Sequence, residues 1–480
     1  MTAAPSGYHS LPDSRATRPL AIGTILLVLA GIVWGNSGEQ LLAYLVVLAA
    51  AVLPSTLWIR MGAVGIPVFP IVALVYIPYF ARPALTNSDV LPGYSNWEIL
   101  RAALTVALFL LVASFPWRLL AGRTSSQRRV ATDEFDPSRE VQFALFGLLV
   151  GLIFHIGIIS GWWSWLGSFY GLVRIVAVTF VSVALFFIGV TRAQGFLRGK
   201  AWAISVAGVL LLVLSSLGSL FLVGGIVFIL AVLFGHVMVT KRIPWFIAGL
   251  VVIAVTVLHA GKGEMRDKYW ESGTTYGGVS SMTQLPGFMA EWVAAGMNAI
   301  ATGSYAQSAI ERTSLLQMVL RVQSESPIRI DYLGGETYAL LPAIVIPRFI
   351  DSDKPVSQAG MNMLNVRYGI LTNEETSSTA IGWGLVAEAF ANFGYMGVIG
   401  MGLLFGTLCG RLESWSRSAA LISLPTLVSI AVTMVLINVE ADFIQVCLTL
   451  LQSFAAVLVF LTAFRSFVVR RSPSTSSIGW

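Results

Sequence analysis

Long apolar stretches recur along this chain, separated by short polar stretches. Most approach the roughly 20 residues that a helix needs to cross a hydrocarbon core of about 30 Å. The pattern therefore predicts an all-α polytopic membrane protein with about 12 transmembrane helices. The predicted spans are residues 20–34, 41–58, 66–80, 99–115, 141–159, 170–190, 201–217, 220–239, 244–259, 388–409, 419–439 and 443–464. The third contains Pro67 and Pro70, so we predict that it is broken or tilted.

One segment, residues 260–387, interrupts this pattern. It holds 12 of the 24 acidic residues and nine of the 30 Lys and Arg. It is also rich in aromatic residues, which disordered segments are not. Residues 286–300 and 307–321 have the spacing of amphipathic helices. We therefore predict one large, folded loop that carries the chemistry.

The distribution of positive charge predicts the orientation of the chain. Lys and Arg concentrate in the tails and in alternate short loops, which places both termini in the cytoplasm and residues 260–387 outside. The predicted organisation is a disordered tail (1–18), transmembrane helices 1–9 (19–259, with a polar linker at 121–140), the large loop (260–387), transmembrane helices 10–12 (388–465) and a second tail (466–480).

Composition excludes several classes of function. Charged residues make up 11% of the chain, against about a quarter in soluble proteins. The net charge of +6 comes with cytoplasmic loops and does not indicate a nucleic-acid partner. Cys409 and Cys447 lie in apolar runs, and the four histidines lack metal-ligand spacing, so we predict no metal and no cofactor.

Seven of the nine basic residues of the loop are placed singly and are candidates for binding phosphate, since a guanidinium donates two parallel hydrogen bonds. They are Arg266, Arg312, Arg321, Arg329, Arg348, Lys354 and Arg367. The alternative is that they pair with the carboxylates of the loop. In residues 346–355, IPRFIDSDKP, two prolines stiffen a turn that carries Arg348 and Lys354. Two interpretations of this turn are open: it binds a lipid-linked phosphate, or Arg348 forms an ion pair with Asp351 or Asp353.

A carboxylate stands where the chain re-enters the membrane. Glu388 and Asn392 are four residues apart and share one helix face. Glu388 is a candidate general base or sugar contact, and the alternative is a salt bridge to a loop arginine. Glu440 and Asp442 lie in the short outer turn before the last span.

Several short motifs resemble the Wzy-type polymerases of O-antigen and exopolysaccharide repeat units. The matching residues are Ile346, Pro347, Arg348, Lys354 and Pro355, then Glu388, Asn392, Phe393, Gly394 and Gly397. The sequences GGETY at residues 334–338 and ERTSLL around Arg312 are also similar. The similarity in sequence covers residues 309–411. In the rest of the chain only the arrangement of membrane spans resembles the family. The chain departs from the family in having Phe349-Ile350-Asp351 where a Trp often stands.

The resemblance implies a GT-C-like membrane fold in the bacterial inner membrane. It implies periplasmic transfer of a glycan from undecaprenyl pyrophosphate to a hydroxyl of a second lipid-linked unit, with membrane lipids and a chain-length regulator as partners. Arg348 and Glu388 would then be catalytic. The substrate-binding residues would be Arg266, Arg312, Arg321, Arg329, Glu336, Tyr338, Lys354, Arg367 and Asn392.

Two other functions share parts of this pattern. An O-antigen ligase has the same architecture but is expected to use an outer-loop histidine, and here only His259 lies at the edge of the loop. A twelve-span secondary transporter would show two related six-span halves and charges near the midplane. The sequence shows neither, and its charges gather outside.

Overall fold

The fold is known from a computed structural model. It describes residues 13–35, 37–62, 65–85, 93–122, 137–220, 222–240, 242, 244–270, 282–302, 314–346, 350–351, 353–377, 379–417, 419 and 423–469. Over these residues the regular secondary structure is entirely helical. The α-helices of more than three residues are α1 (Asp13–Trp34), α2 (Gly38–Arg60), α3 (Val68–Tyr76), α4 (Asn96–Ala121), α5 (Pro137–Ile159), α6 (Tyr170–Ala193), α7 (Gly199–Leu217), α8 (Leu222–Thr240), α9 (Trp245–Trp270), α10 (Leu285–Ala301), α11 (Leu316–Glu325), α12 (Glu336–Ala339), α13 (Leu341–Val345), α14 (Ala359–Arg367), α15 (Gly384–Ser416), α16 (Leu424–Leu436) and α17 (Phe443–Val469).

Among the described residues, eight helices are long and apolar enough to cross a membrane: α2, α4, α5, α6, α7, α9, α15 and α17. They coincide with eight of the twelve predicted spans. The other four predicted spans coincide with shorter apolar helices, at Leu20–Val33, Val68–Ala84, Gly224–Thr240 and Leu424–Leu436. The chain is therefore an all-α, multi-pass membrane protein, and the count of twelve spans stays a prediction.

The third predicted span is an irregular helix: Pro67 and Pro70 lie at the start of α3, where proline is tolerated, and Pro78 lies in the π-helix that follows. Pro67 precedes α3, which ends at Tyr76 and continues into a π-helix, Ile77–Ala81, and a short turn, Arg82–Ala84. Proline removes a backbone donor and crowds the preceding turn, so a regular ladder of hydrogen bonds cannot run through this segment.

The helices around the polar segment differ from their predicted bounds. Helix α9 continues to Trp270, beyond the predicted end of its span at residue 259. Helix α10 matches the predicted 286–300 helix, with Phe288 and Trp292 buried but Met297 exposed. Residues 307–313 of the predicted 307–321 helix lie outside the described residues. In the described part, residues 314 and 315 are not helical and α11 runs from Leu316 to Glu325, past the predicted end.

The chain divides into two compact units. The first contains residues Met1–Arg128, Met297–Ala419 and Val432–Leu451. Inside it, α4 and α15 pack so closely that only a glycine fits at position 406: a Cβ added there would lie 2.0 Å from the Ala113 carbonyl oxygen. Small residues allow backbones to approach in this way in membrane proteins.

The second unit contains residues Arg129–Gly296, Ala420–Ala431 and Gln452–Trp480. Its helices α6 and α8 also meet at glycines: a Cβ at Gly189 would lie 2.1 Å from the Val232 carbonyl oxygen. Helices α9 and α10 are joined by a hydrogen bond from the Trp292 indole nitrogen to the Leu258 carbonyl oxygen, 2.7 Å long.

Candidate functional site

The helix that carries Glu388 is broken after two turns. Within α15, Phe393 and Gly394 leave helical geometry, and Gly394 has φ 61° and ψ −144°. An L side chain rarely adopts this conformation, and a Cβ at Gly394 would meet the Tyr332 hydroxyl oxygen at 2.8 Å. Glu388 therefore sits on a short helical segment, residues 384–392, ahead of a stretch that keeps the length of a membrane span.

A glycine-rich turn satisfies the backbone at this break. The amides of Leu333 and Gly334 donate to the carbonyl oxygens of Ala391 and Asn392, both at 3.0 Å. The amide of Gly335 donates to Asn392 Oδ1, also at 3.0 Å. Both glycines have positive φ, 60° and 99°. The GGETY and NFG motifs, more than fifty residues apart, thus form one structural element.

Asn392 holds this element together. Its Nδ2 donates to Thr337 Oγ1 and to the Glu388 carbonyl oxygen, each at 2.9 Å. The side chain is fully buried, and both ends of its amide are engaged. The predicted face shared by Glu388 and Asn392 is present, and Asn392 positions the turn that carries Thr337 and Tyr338.

The Glu388 carboxylate lies completely buried, at 0% exposure. Its Oε2 accepts a hydrogen bond from the backbone amide of Phe443, 2.7 Å away. The Thr337 hydroxyl interacts with the same carboxyl, but Oε1 makes no hydrogen bond among the described residues. Glu388 is in neither of the ion pairs Lys268–Glu291 and Arg329–Glu325 of the described residues, and since Arg312 and Arg348 lie outside those residues, the alternative of a salt bridge to a loop arginine stays a prediction.

A second carboxylate, Asp442, lies beside the first. It precedes α17, and its Oδ1 accepts from the Gln445 amide at 2.8 Å, which is the geometry of a helix cap. Asp442 is also 0% exposed. The Met361 amide interacts with this carboxylate, yet Oδ2 makes no hydrogen bond among the described residues. Burial raises the pKa of Asp442 to about 6.

Tyr338 completes the group. Its ring packs against Phe443 and Phe393, with centroids 5.0 Å and 6.2 Å apart. Its hydroxyl oxygen is buried and has no hydrogen-bond partner within the described chain. Burial, reinforced by the Glu388 carboxyl, raises the pKa of the phenol above its usual range, so Tyr338 stays a neutral hydrogen-bond donor.

We call Glu388, Asp442 and Tyr338 the buried acid cluster. Each member keeps one polar oxygen that no described group satisfies. An unsatisfied buried polar atom is costly in a folded protein and often marks a chemical role. Such an arrangement can accept and release a proton, and it can bind a hydroxyl group that enters the site.

The predicted phosphate-binding cations have varied surroundings. Arg321 donates from Nε and Nη2 to the Tyr368 carbonyl oxygen, at 3.1 Å and 2.8 Å, and so anchors α11 to the end of α14. Arg329 is exposed and pairs with Glu325 at 3.2 Å. Lys354 donates to the Ile344 carbonyl oxygen at 2.5 Å.

The remaining predicted residues are dispersed. Arg367 is exposed and lines an open groove of about 490 Å³ together with Asn362, Asn373 and Thr376. Glu336 is exposed at the start of α12. Arg266 belongs to the second unit, near the end of α9. Arg312 and Arg348 lie outside the described residues.

The structure brings together Glu388, Asn392 and Tyr338 from the predicted set and adds Asp442 and Thr337. Sequence reasoning noted Asp442 only as an acid in an outer turn. A capping residue directly before an apolar run is a recognisable start of a helix, and this pattern places Asp442 at the N-terminus of α17. Its approach to Glu388 is a tertiary contact that the pattern does not contain.

Comparison of the chain with protein-family models, with curated proteins and with solved structures gives no match. The class that the fold defines is a multi-pass helical membrane protein. Its function must be argued from the buried acid cluster and the elements that hold it.

Proposed function

We propose that this protein is a membrane glycosyltransferase that polymerises undecaprenyl-pyrophosphate-linked oligosaccharide repeat units, in O-antigen or exopolysaccharide synthesis. The observation that carries the proposal is the meeting of the GGETY turn and the E-x-x-x-NFG segment around Glu388. These are the motifs in which the sequence resembles the Wzy-type polymerases. They converge on a buried carboxylate with one oxygen available for chemistry.

In this proposal Glu388 is the general base. Its Oε1 takes the proton of the acceptor hydroxyl as the hydroxyl oxygen bonds to the anomeric carbon of the donor. The bond from that carbon to the pyrophosphate oxygen breaks, and its electron pair leaves with undecaprenyl pyrophosphate. Proton transfer to a positioned base contributes about 10²–10⁴-fold to such a reaction. Because Glu388 is fully buried, we expect the turn at residues 333–335 to move when the acceptor binds.

The leaving pyrophosphate requires positive charge nearby. We assign this role first to Arg348, with Lys354 in the same turn. Among the described cations, Arg367 is the one exposed in a groove, whereas Arg321 and Arg329 are engaged by Tyr368 and Glu325. Arg321 is accordingly proposed to support the site by anchoring α11.

A second function, ion-coupled transport, is favoured by one observation. A helix broken beside buried carboxyls resembles the ion sites of secondary transporters, where unwound carbonyls coordinate the ion. In this chain the carbonyl oxygens of Ala391 and Asn392 instead accept hydrogen bonds from Leu333 and Gly334. This arrangement favours the glycosyltransferase, and substrate-dependent ion flux in proteoliposomes would support transport.

The proposal places the protein in the bacterial inner membrane, with both termini in the cytoplasm and residues 260–387 in the periplasm. Single cysteines introduced at Gln284 and at Ser472, in a chain without Cys409 and Cys447, test this orientation. A membrane-impermeant thiol reagent added outside should label the first and not the second. The opposite result contradicts the orientation and the periplasmic site with it.

Deletion and complementation test the function. Cells that lack the protein should lose long-chain polymer and accumulate single repeat units, and the wild-type chain should restore the polymer. Arg348→Ala, present in the membrane in normal amount, should fail to restore it, while Arg329→Ala should succeed. Normal polymer after deletion would overturn the function, and normal polymer with Arg348→Ala would overturn the role of that residue.

A further inference from the structure

We propose that Glu388 and Asp442 hold one proton between them and act as a single acid–base unit, in which Asp442 is a positioning residue for Glu388. The catalytic use of this unit rests on the proposed function. The presence of the shared proton is a property of the folded chain and can be tested without substrate.

The geometry of α17 brings the two carboxyls together. The amide of Phe443, the first residue of α17, donates to Glu388 Oε2 at 2.7 Å, and the amide of Gln445 donates to Asp442 Oδ1 at 2.8 Å. Two acids thus share the N-terminus of one helix, whose partial positive charge favours one negative charge there. Each carboxyl keeps one oxygen that makes no hydrogen bond among the described residues, Glu388 Oε1 and Asp442 Oδ2.

Full ionisation of this pair is unfavourable. Both side chains are completely buried, and like charges in a buried site disfavour the state in which both are ionised. Neither carboxyl takes part in the salt bridges formed by the described residues. One proton shared by the pair removes the repulsion and supplies a donor for an oxygen that lacks one.

Among the described residues, the groups that face the pair do not supply a compensating positive charge. Tyr338 faces the pair from α12 as a neutral phenol, and Cys447 interacts with both carboxyls from α17. Helix α14 contributes Gly360 and Met361, which carry no charge. From the preceding turn, Glu440 is another acid.

A metal ion fits this site less well than a proton. Calcium takes six to eight oxygen ligands and magnesium about six. Among the described residues, no group of three or more His, Cys, Asp or Glu side chains has the arrangement that holds a metal. The two available carboxylate oxygens suit a proton, which needs only a donor and an acceptor.

In the proposed reaction the pair cycles between one proton and two. The acceptor hydroxyl gives its proton to Glu388 Oε1 when the proton of the pair lies on Asp442, while the hydroxyl oxygen bonds to the donor sugar. The bond to pyrophosphate breaks, and the electron pair leaves with the pyrophosphate. The extra proton then passes to water, and the pair returns to its singly protonated state.

Infrared spectroscopy of the purified full-length protein, at pH values from about 4 to about 9, tests the shared proton. The wild type should show the C=O stretch of a protonated carboxyl at neutral pH. Glu388→Gln and Asp442→Asn should each remove this band, since either change eliminates the repulsion that retains the proton. In Glu388→Gln, the titration of Asp442 should shift to lower pH. The matched control, Glu413→Gln, removes a different buried carboxyl and should leave the Glu388-dependent band in place.

Three results would overturn the proposal: a band that survives both substitutions, separate bands that disappear additively, or a band displaced by Na⁺, Mg²⁺ or Ca²⁺. Circular dichroism checks that each variant is folded. If Glu388→Gln or Asp442→Asn misfolds, Glu388→Asp is used in its place; it keeps a carboxyl and should retain the band. A supportive infrared result together with unchanged polymerisation by Glu388→Gln would contradict the proposed function and leave the shared proton standing.

Discussion

The two ends of α15 each bury a glutamate, and the two glutamates have opposite surroundings. Glu413 is 1% exposed, accepts a hydrogen bond from the Trp117 indole and interacts with the cation Arg417. Glu388 is 0% exposed, accepts from a backbone amide and faces another acid, Asp442. Each keeps one oxygen that no group in the described part of the chain satisfies.

Burial therefore does not distinguish a structural carboxyl from a reactive one, whereas the neighbouring charge does. Arg417 is a charge of opposite sign near Glu413, whereas Asp442 is a group of the same kind near Glu388. An acid beside Glu388 keeps a proton within reach. The comparison predicts that the Glu413 end serves stability and the Glu388 end serves chemistry.

The sharpest difference should appear in the pH dependence of stability. Burial raises the pKa of Asp442 from 3.8 to about 6, so between these values the folded state binds more proton than the unfolded state. Stability from this group is present below pH 4 and falls as pH rises to about 6, by up to roughly 3 kcal/mol. The melting temperature of wild type relative to Asp442→Asn, which keeps the helix cap, should fall over this interval. A difference that is constant or rises with pH contradicts this assignment.

The helix break provides a second test at the Glu388 end. Gly394→Ala forces a side chain into a conformation reserved for glycine and against Tyr332, at a cost of about 1–3 kcal/mol. Gly400→Ala is the matched control, since a Cβ there meets nothing within 4 Å. Thermal melting should separate the two variants clearly. Equal melting temperatures would mean that the break at Gly394 is not required.

Substitution of the two glutamates should affect stability differently: we expect Glu413→Gln to lower the free energy of unfolding and Glu388→Gln not to lower it. Glu413→Gln keeps an acceptor for Trp117 but weakens the interaction with Arg417, which should cost about 1 kcal/mol. Glu388→Gln keeps an acceptor for the Phe443 amide and removes the repulsion with Asp442, so stability should stay level or rise. Chemical denaturation in detergent measures both. Greater loss from Glu388→Gln would reverse the comparison.

The smallest effect is expected at Arg329, a predicted substrate residue. Its side chain is 74% exposed, and its partner Glu325, four residues earlier, is the last residue of α11. Such pairs contribute about 0.2–1 kcal/mol. Arg329→Ala should therefore change both melting temperature and polymer yield only slightly, as measured in membranes with equal protein. A large loss of polymer with unchanged stability would return Arg329 to the substrate site.

Much of the fold follows from local pattern. Apolar runs locate the eight long membrane helices, Pro67 and Pro70 mark the start of the irregular third span, and the spacing of Glu388 and Asn392 predicts their common face. Helix ends are less visible. Helix α9 continues past its apolar run to Trp270 because the end of an apolar run marks a change of environment, not a break in backbone hydrogen bonding.

The site depends on contacts between distant residues, which spacing does not encode. Glu388 meets the Phe443 amide 55 residues away, and the Gly335 amide meets Asn392 across 57. The glycine turn at residues 333–335 and the NFG segment at residues 392–394 are each visible in the sequence as a motif. The sequence does not show that the amides of the turn donate hydrogen bonds to Ala391 and Asn392. Arg321 has the guanidinium group that phosphate binding requires. Only the structure shows that this group donates two hydrogen bonds to the Tyr368 carbonyl oxygen instead.

The claim that the Glu388 end of α15 serves chemistry and the Glu413 end serves stability is tested most directly by polymerisation. The purified protein is placed in vesicles supplied with lipid-linked repeat units. Rates for wild type, Glu388→Gln and Glu413→Gln are compared at equal amounts of folded protein. The account predicts a loss of about 10²–10⁴-fold for Glu388→Gln and a rate within a few-fold of wild type for Glu413→Gln. Equal rates for the two variants, or a larger loss from Glu413→Gln, would contradict it.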